Sequence, residues 1–382
     1  MIQHREQQLR ELIKTANLDA IVLMSPENFA YGSGLNIFTV EMIRSRQAFV
    51  IIPRTGAPEM VLCSIEVTFA RNEGWTDSIQ PYTEFQDSPI EVLADRLSAL
   101  GLSSGRIGID GDYLPLSSYQ QLIKRLPRLE LVNTTGQVAS VRAVKTVEEV
   151  EFVEASTKAT HAAVLHAMEQ SKLGESERTM CNRIVTGMIE RGADGTAFVC
   201  FSSGDRTRMA HAIASARIPN ESEIIRFDLG GLYGSYMSDF ARTYSTGNPT
   251  PLQRQTHAAL VRVQREAIAA VQPGVTAEDI YYATRNAFEN HGLNFQMTLV
   301  GHSFGVELHE PPVLRPGDRT KLEVGMILNI EPATADETGT KYHTEDLIEV
   351  TQQGARLMTL GLAPEEIPTI GQSVSSFSAS GM

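Results

Sequence analysis

Two acidic residues stand on neighbouring strand-like segments that a glycine-containing turn connects. Residues 224–231 and 236–243 both have the composition of strands, and folding about 233–234 would oppose Asp228 directly to Asp239. Two carboxylates at cross-strand distance repel each other unless a proton or a cation lies between them. A metal ion is the natural cation for such a pair.

A second pair of acids repeats this geometry further along the chain. An apolar strand at 326–332 carries Glu331, and a returning strand at 342–350 carries Glu345. Folding about Thr338 opposes these two side chains. Four carboxylates inside apolar strands are costly unless their charge is compensated. The two hairpins together therefore predict a cation site.

Histidines lie near these acids in the sequence. His302 and His309 share the glycine-containing stretch 301–311, and His211 ends a polar stretch shortly before the first hairpin. One imidazole with four carboxylates is an oxygen-rich donor set, which suits Mn²⁺ and is also compatible with Co²⁺ or Zn²⁺. Four acids that bridge two ions roughly 3.5 Å apart would generate a hydroxide nucleophile at neutral pH.

Composition excludes several other classes of protein. The 382 residues are 42% hydrophobic and carry 33 basic against 46 acidic side chains, a net charge of −13. This argues against a disordered chain and against nucleic-acid or anionic-membrane partners. A polar start and the lack of an apolar run near ~18 residues favour a cytoplasmic protein. Cys63, Cys181 and Cys200 are expected to be reduced thiols rather than disulfides or zinc ligands.

Two domains and a tail are expected to position the candidate residues. Strands and helices alternate over 1–140, which is typical of an α/β domain with a mixed or parallel sheet. Thr146 can cap a helix that begins a second, α+β domain over 141–365. The small and polar residues of 366–382 predict a loose C-terminal tail.

The ordered set of candidate ligands resembles the pita-bread metallopeptidase or creatinase family, which includes prolidase, aminopeptidase P, methionine aminopeptidase and creatinase. The residues that carry the resemblance lie in the strings Phe-Asp-Leu-Gly-Gly, Ser-Asp-Phe-Ala-Arg-Thr, Gly-His-Ser-Phe-Gly, Asn-Ile-Glu-Pro and Thr-Glu-Asp. Residues 28–34 and 142–145 look like the creatinase-type N-terminal domain and its junction. The likeness covers nearly the whole chain and implies a creatinase-like N-terminal domain followed by a pita-bread catalytic domain.

The resemblance also implies a role for each site residue. Asp228 would chelate one of two divalent ions, most consistent with Mn²⁺, while His302 and Glu331 would hold the other. The bridging ligands would be Asp239 and Glu345. The substrate would be held by His211 and His309, which also stabilise the tetrahedral intermediate, and Glu331 would accept the proton of the attacking water. A homodimer acting on a small peptide or amide is implied, with no nucleic-acid or membrane partner.

One position departs from the family pattern. Xaa-Pro peptidases usually have an arginine two residues before the second glutamate, whereas this chain has His343, which we assign to substrate binding. An imidazole is shorter and lacks the bidentate guanidinium fork.

Three functions remain open from the sequence. The first is an Xaa-Pro dipeptidase or aminopeptidase that uses a metal-bridging hydroxide. The second is a creatinase-like or ectoine-hydrolase-like enzyme that cleaves a C–N bond in a small compound without requiring metal. The third is a catalytically silent binding protein, which the complete ligand set disfavours.

Overall fold

The computed structural model describes residues 2–76 and 78–373 of the chain. These residues form two units, with the division between Arg142 and Ala143. The division falls where the sequence changes character at Arg142. Each unit has its own β-structure and its own apolar core.

The first unit contains a six-stranded mixed sheet, as its alternating strands and helices predict. In the order β4-β3-β2-β1-β5-β6, β1 is antiparallel to β2 and parallel to β5; the strands are β1 (Ala20–Leu23), β2 (Phe49–Pro53), β3 (Glu59–Cys63), β4 (Ile79–Tyr82), β5 (Arg106–Ile109) and β6 (Glu130–Asn133). The helices are α1 (Ile2–Thr15), α2 (Pro26–Ser33), α3 (Phe38–Met42), α4 (Val67–Glu73), α5 (Pro89–Ala99), α6 (Leu116–Arg125) and α7 (Thr135–Ala143). Val22, Ile51 and Ile107 belong to the core, because central strands bury both faces.

In the described part of the second unit there are four α-helices, and the starts of three of them follow from capping chemistry. The helices are α8 (Val147–Gln170), α9 (Glu177–Glu190), α10 (Pro251–Ala269) and α11 (Ala277–Asn290). Capping boxes at Thr146, Thr250 and Thr276 satisfy backbone N–H groups that the first turn of a helix leaves unpaired. Within the described residues, no helix combines the length and apolar character needed to cross a membrane.

The strands of the second unit form two larger sheets and two short hairpins. They are β7 (Gly195–Ser203), β8 (Ile224–Tyr233), β9 (Tyr236–Met237), β10 (Phe240–Ser245), β11 (His302–Ser303), β12 (Glu310–Val313), β13 (Ile327–Ile330), β14 (Ala333–Ala335), β15 (Lys341–His343), β16 (Asp346–Thr351) and β17 (Gly354–Leu357). One sheet has the order β10-β8-β7 with β9 on β8, and the other has the order β13-β16-β17. The hairpins pair β11 with β12 and β14 with β15.

Two of the apolar clusters in the described part of the second unit show how these sheets pack against the helices. Val164 of α8 and Met188 of α9 are buried in one cluster with Phe227 of β8. Ile280 of α11 is buried in the other with Leu328 of β13. The inward face of each sheet is therefore fixed by packing, and so is the face on which its polar residues emerge.

The segment after residue 365 differs in part from the loose tail that the sequence predicts. Ile367 and Ile370 are buried, and the amide of Ile370 donates to the carbonyl oxygen of Ser245 at 3.0 Å. These apolar side chains pack into the core of the second unit, because burial removes them from water. The rest of the predicted tail, 374–382, lies outside the described residues.

Candidate metal centre

The first hairpin has a different register from the one we predict from sequence. Tyr233 pairs with Tyr236, and Asp228 pairs with Ala241 rather than with Asp239. The predicted direct opposition of the two acids is therefore wrong. The register differs by two residues, and a shift of two keeps every side chain on its original face. Both carboxylates consequently still point to the same side of the sheet.

A close backbone approach accompanies this register. The carbonyl oxygen of Ser238 lies so near Gly230 that a Cβ there would be 1.9 Å from it. The Ser238 hydroxyl also accepts a hydrogen bond from the amide of Gly231 at 2.9 Å. Only glycine permits this approach, because any side chain would overlap the carbonyl oxygen. Gly230 therefore allows the segment next to Asp239 to lie close to β8.

The second hairpin has the predicted register. Ile330 pairs with Asp346, and Ala333 pairs with His343 in the same alignment. Glu331 directly follows Ile330, and Glu345 directly precedes Asp346, so the two glutamates face each other across the hairpin.

The two hairpins bring their acids into one cluster. Carboxylate oxygens of Asp228, Asp239 and Glu345 all lie within 4.8 Å of one another. Asp239 and Glu345 are 4% and 1% exposed, whereas Asp228 and Glu331 are only partly buried. The cluster thus has a buried pair, Asp239 and Glu345, and a more accessible pair, Asp228 and Glu331. Each pair takes one acid from each hairpin.

Burial makes the ionised state of these acids costly. It raises the pKa of Asp239 and of Glu345 well above their usual range, and the neighbouring carboxylates add to the effect. Burial also raises the pKa of Asp228 and of Glu331. Protons and cations therefore compete for this cluster. The oxygen-rich donor set, completed by one imidazole, fits a divalent cation.

His302 directs its unprotonated Nε2 toward the acids, and the Asn329 side-chain amide lies 3.1 Å from the same nitrogen. Its Nδ1 lies 3.0 Å from the carbonyl oxygen of Ser303, which can only accept, so Nδ1 carries the proton. Its Nε2 lies 3.6 Å from Glu331 Oε1 and 3.9 Å from Asp239 Oδ2. Burial lowers the pKa of His302, which favours the neutral ring that a metal ligand requires.

The other two predicted histidines lie at the exposed side of the cluster. The ring of His309 stacks on that of His302 with centroids 3.9 Å apart, and His309 itself is exposed. His211 is also exposed and interacts electrostatically with Asp228. Both are therefore accessible to a molecule that approaches the acids.

His343 lies inside the cluster. It is 3% exposed, with Nδ1 3.7 Å from Asp228 Oδ2 and Nε2 3.6 Å from Glu331 Oε2. Burial lowers its pKa to about 4, and the nearby Arg226 guanidinium acts in the same direction. The predicted substrate-binding role of His343 stays a prediction, and its burial makes a direct contact with substrate less accessible than at His211 or His309.

Asn329 belongs to the site although our sequence interpretation omits it. Its side-chain amide donates to Asp239 Oδ2 at 3.1 Å and to Glu345 Oε1 at 2.8 Å. Its Oδ1 accepts from the backbone N–H of His302 at 2.7 Å. A polar residue two positions before Glu331 in an apolar strand shares its face, and that signal could have identified it.

A buried ion pair holds the loop between the stacked histidines. Lys145 Nζ lies 2.9 Å from Glu310 Oε2 and 2.9 Å from the hydroxyl of Ser303. Ser303 and Glu310 directly follow His302 and His309 in the sequence. The ammonium group thus connects the two ends of this loop. This ion pair is difficult to predict from the sequence, because Lys145 is far from the loop along the chain.

Comparison with known families assigns the two parts of the chain to two family models. Residues 151–352 match the family model of metallopeptidase family M24, and residues 5–144 match that of the creatinase/prolidase N-terminal domain. An Xaa-Pro dipeptidase of Pyrococcus furiosus is 31% identical over 199 residues, which are 52% of this chain and 57% of that protein. The chain thus matches under two thirds of that relative's length.

Two further relatives match over greater lengths. A probable dipeptidase PepE of Mycobacterium bovis is 27% identical over 374 residues, covering 92% of each chain. The crystal structure of dipeptidase PepE from Mycobacterium ulcerans superposes with a TM-score of 0.82 at 27% identity, covering 97% of this chain and 98% of that one. The expected creatinase-like domain followed by a pita-bread domain is confirmed. Since the M24 match spans more than half of the sequence, the chain belongs to metallopeptidase family M24, a family of hydrolases.

Proposed function

We propose that this protein is a dinuclear metal-dependent hydrolase that cleaves an amide bond. The observation that carries the proposal is the convergence of four acids and His302 from two hairpins and one loop. One cation would be held by Asp228 and the other by His302 and Glu331, with Asp239 and Glu345 shared. Bound divalent cations would supply Lewis acidity and lower the pKa of water, and the oxygen-rich set favours Mn²⁺.

The accessible residues have separate roles in this proposal. Glu331 accepts a proton from the attacking water, since its carboxylate is partly exposed beside His302. His211 and His309 bind the substrate at the open side and stabilise negative charge that develops on its carbonyl oxygen.

We further propose that the substrate is an Xaa-Pro peptide. The Xaa-Pro dipeptidase of Pyrococcus furiosus supports this assignment by its similarity. The test is metal analysis of the purified protein, followed by hydrolysis of Xaa-Pro dipeptides, their amidated forms and Xaa-Pro tripeptides. We expect Mn²⁺-dependent cleavage of at least one class. A protein that holds no metal and gains no activity with Mn²⁺ or Co²⁺ would contradict the proposal.

The amidated dipeptides also test how His343, in place of an arginine, affects recognition of the substrate's carboxylate. A free carboxylate on the substrate is recognised best by a guanidinium fork, and this chain has an imidazole at the position in question. We expect amidation to change kcat/KM little. A strong preference for the free carboxylate would instead indicate strict dipeptidase specificity.

A second candidate is a hydrolase of small C–N compounds that works without metal. It is favoured by the two contacts of Glu331 with imidazoles, at 3.6 Å from His302 and 3.6 Å from His343, which could move protons without a cation. Full turnover of such a compound after EDTA treatment would favour this function over the first. The homodimer and the cytoplasmic location remain predictions, and light scattering tests the former.

A further inference from the structure

An arginine lies within the proposed metal centre, on the same strand as Asp228. Arg226 stands two residues before Asp228 in β8, so both side chains emerge on one face. Its Nη2 lies 3.6 Å from Asp228 Oδ2 and 3.3 Å from His343 Nδ1. A guanidinium is always charged, so this cation is permanent.

Among the described residues, the guanidinium of Arg226 contacts groups of the protein with both of its terminal nitrogens. Nη1 donates to the carbonyl oxygen of Ala210 at 2.7 Å, and Nη2 faces His343 and Asp228. The residue is only 9% exposed. A guanidinium committed in this way is poorly placed to bind the carboxylate of a substrate. It is well placed to act on the site itself.

The contact with Arg226 also defines the proton positions on His343. A guanidinium can only donate, so His343 Nδ1 must accept this hydrogen bond. The proton of the neutral ring is then on Nε2, the nitrogen that lies 3.6 Å from Glu331 Oε2. In this tautomer His343 offers no free nitrogen as a metal ligand.

We propose that Arg226 is a built-in cation of the metal centre, which offsets part of the charge of Asp228 and holds His343 with its Nε2–H toward Glu331. Arg226 is thus a positioning residue. This inference rests on the proposed metal centre. It predicts that removal of the charge strengthens Mn²⁺ binding but lowers kcat. The loss of a merely structural residue would not produce this combination.

The primary variant is Arg226→Met, which keeps the apolar length of the side chain and removes the charge. Without the guanidinium, Asp228 attracts a cation more strongly, and we expect the Kd for Mn²⁺ to fall about fivefold or more. Because Asp228 and His343 lose their positioning partner, we expect kcat to fall about tenfold or more. Isothermal titration of metal-stripped protein and steady-state kinetics measure the two quantities.

Three further variants separate charge from structure. Arg226→Lys keeps the cation and should retain the wild-type Kd. The double variant Arg226→Met/His343→Arg returns a guanidinium from β15 to the same place, and should restore the Kd and part of kcat. Arg262→Met removes an exposed arginine of α10 that pairs with Glu365, and should change neither quantity. If Arg226→Met leaves both quantities unchanged or weakens Mn²⁺ binding, or if the double variant behaves like the single one, the proposal is overturned.

A measurement on the wild-type protein needs no variant at position 226. Nitrogen NMR of metal-free, ¹⁵N-histidine-labelled protein reports which ring nitrogen carries the proton, and His343→Gln identifies the signal. We expect Nε2–H. Protonation of Nδ1 in the neutral ring would refute the positioning of His343 even if Arg226→Met fails to fold. A protein that binds no metal but shows Nε2–H would refute the proposed function and leave this arrangement intact.

Discussion

The two stacked histidines, His302 and His309, have the same side chain in different surroundings. His302 is buried and directs its unprotonated Nε2 toward Glu331 and Asp239, whereas His309 stacks on it and is exposed. A ring enclosed by acids is suited to binding a cation, and an accessible ring is suited to binding a substrate. The pair therefore offers a matched test of the two roles.

We expect His302→Ala and His309→Ala to have different consequences. His302→Ala should lose bound metal, because it removes the only nitrogen in the proposed donor set. His309→Ala should keep its metal while kcat falls about 10²-fold, the usual cost of removing one group that stabilises developing charge. Elemental analysis after dialysis and steady-state kinetics check both statements. Equal metal loss in the two variants would show that the stack binds the cation as one unit.

Asn329 connects three parts of the candidate site through one amide. It donates to Asp239 and Glu345 and accepts from the backbone of His302. We expect Asn329→Ala to weaken Mn²⁺ binding about 10- to 100-fold, the usual effect of removing a group that orients metal ligands. Isothermal titration measures this change, and Asn290→Ala at the exposed end of α11 serves as the control. An unchanged Kd in Asn329→Ala would contradict the orienting role.

The two hairpins differ in how far their sequences determine their register. The second has a defined turn, because the Asp336 carboxylate accepts from the amides of Thr338 and Thr340 at 2.9 and 3.1 Å. Its alignment could therefore be predicted from sequence. The first has three glycines among residues 230–234, which permit several alignments, and so its register could not be predicted.

The alternation of side chains nevertheless predicts that these acids lie close together. A register error of two residues leaves the faces unchanged, so the composition of the acid cluster could be predicted despite the wrong pairing. Arg226 lies on the same face as Asp228, and Asn329 on the same face as Glu331. The alternation of side chains along a strand therefore predicts that both belong to the site. The contact of Lys145 with Glu310 depends on tertiary packing, which no local pattern reveals.

The close approach at Gly230 makes a prediction about the first hairpin. In Gly230→Ala the new methyl group would overlap the carbonyl oxygen of Ser238, so the strands must separate beside Asp239. We expect the free energy of unfolding to fall by about 3 kcal/mol, the upper end for overpacking, and Mn²⁺ binding to weaken. Urea denaturation and isothermal titration measure these effects.

Gly136→Ala is the matched control for that substitution. Gly136 lies in α7 with no atom within 4 Å of an added Cβ, and there alanine should stabilise the helix by about 0.5–1 kcal/mol. A Gly230→Ala protein as stable as wild type would show that the hairpin accommodates the methyl group without cost.

At the scale of the whole molecule, the acid cluster couples stability to pH and metal. The raised pKa values of Asp239 and Glu345 mean that the metal-free folded state binds more protons than the unfolded chain. Their favourable contribution is complete below the unfolded pKa and is lost as pH rises through the folded pKa. A bound cation replaces these protons, so its stabilising effect should increase with pH.

We therefore expect Mn²⁺ to raise the thermal unfolding midpoint more at about pH 7.5 than at about pH 5.5. At a free Mn²⁺ concentration of 100 times Kd the gain corresponds to about 2.7 kcal/mol. Differential scanning fluorimetry with EDTA or Mn²⁺ at the two pH values provides the measurement. Asp239→Asn should respond to Mn²⁺ weakly at both. A larger effect of Mn²⁺ at the lower pH would contradict the competition between protons and the cation.

The division of ligands between two hairpins has a consequence for biosynthesis. While the ribosome makes this chain, Asp228 and Asp239 emerge first, and their hairpin can fold with only two of the four acids. His302, Glu331 and Glu345 are made much later than these two acids. A nascent chain thus has no complete site with which to capture a cation. In the proposed site, a cation would therefore meet its full set of ligands only after Glu345 has been made.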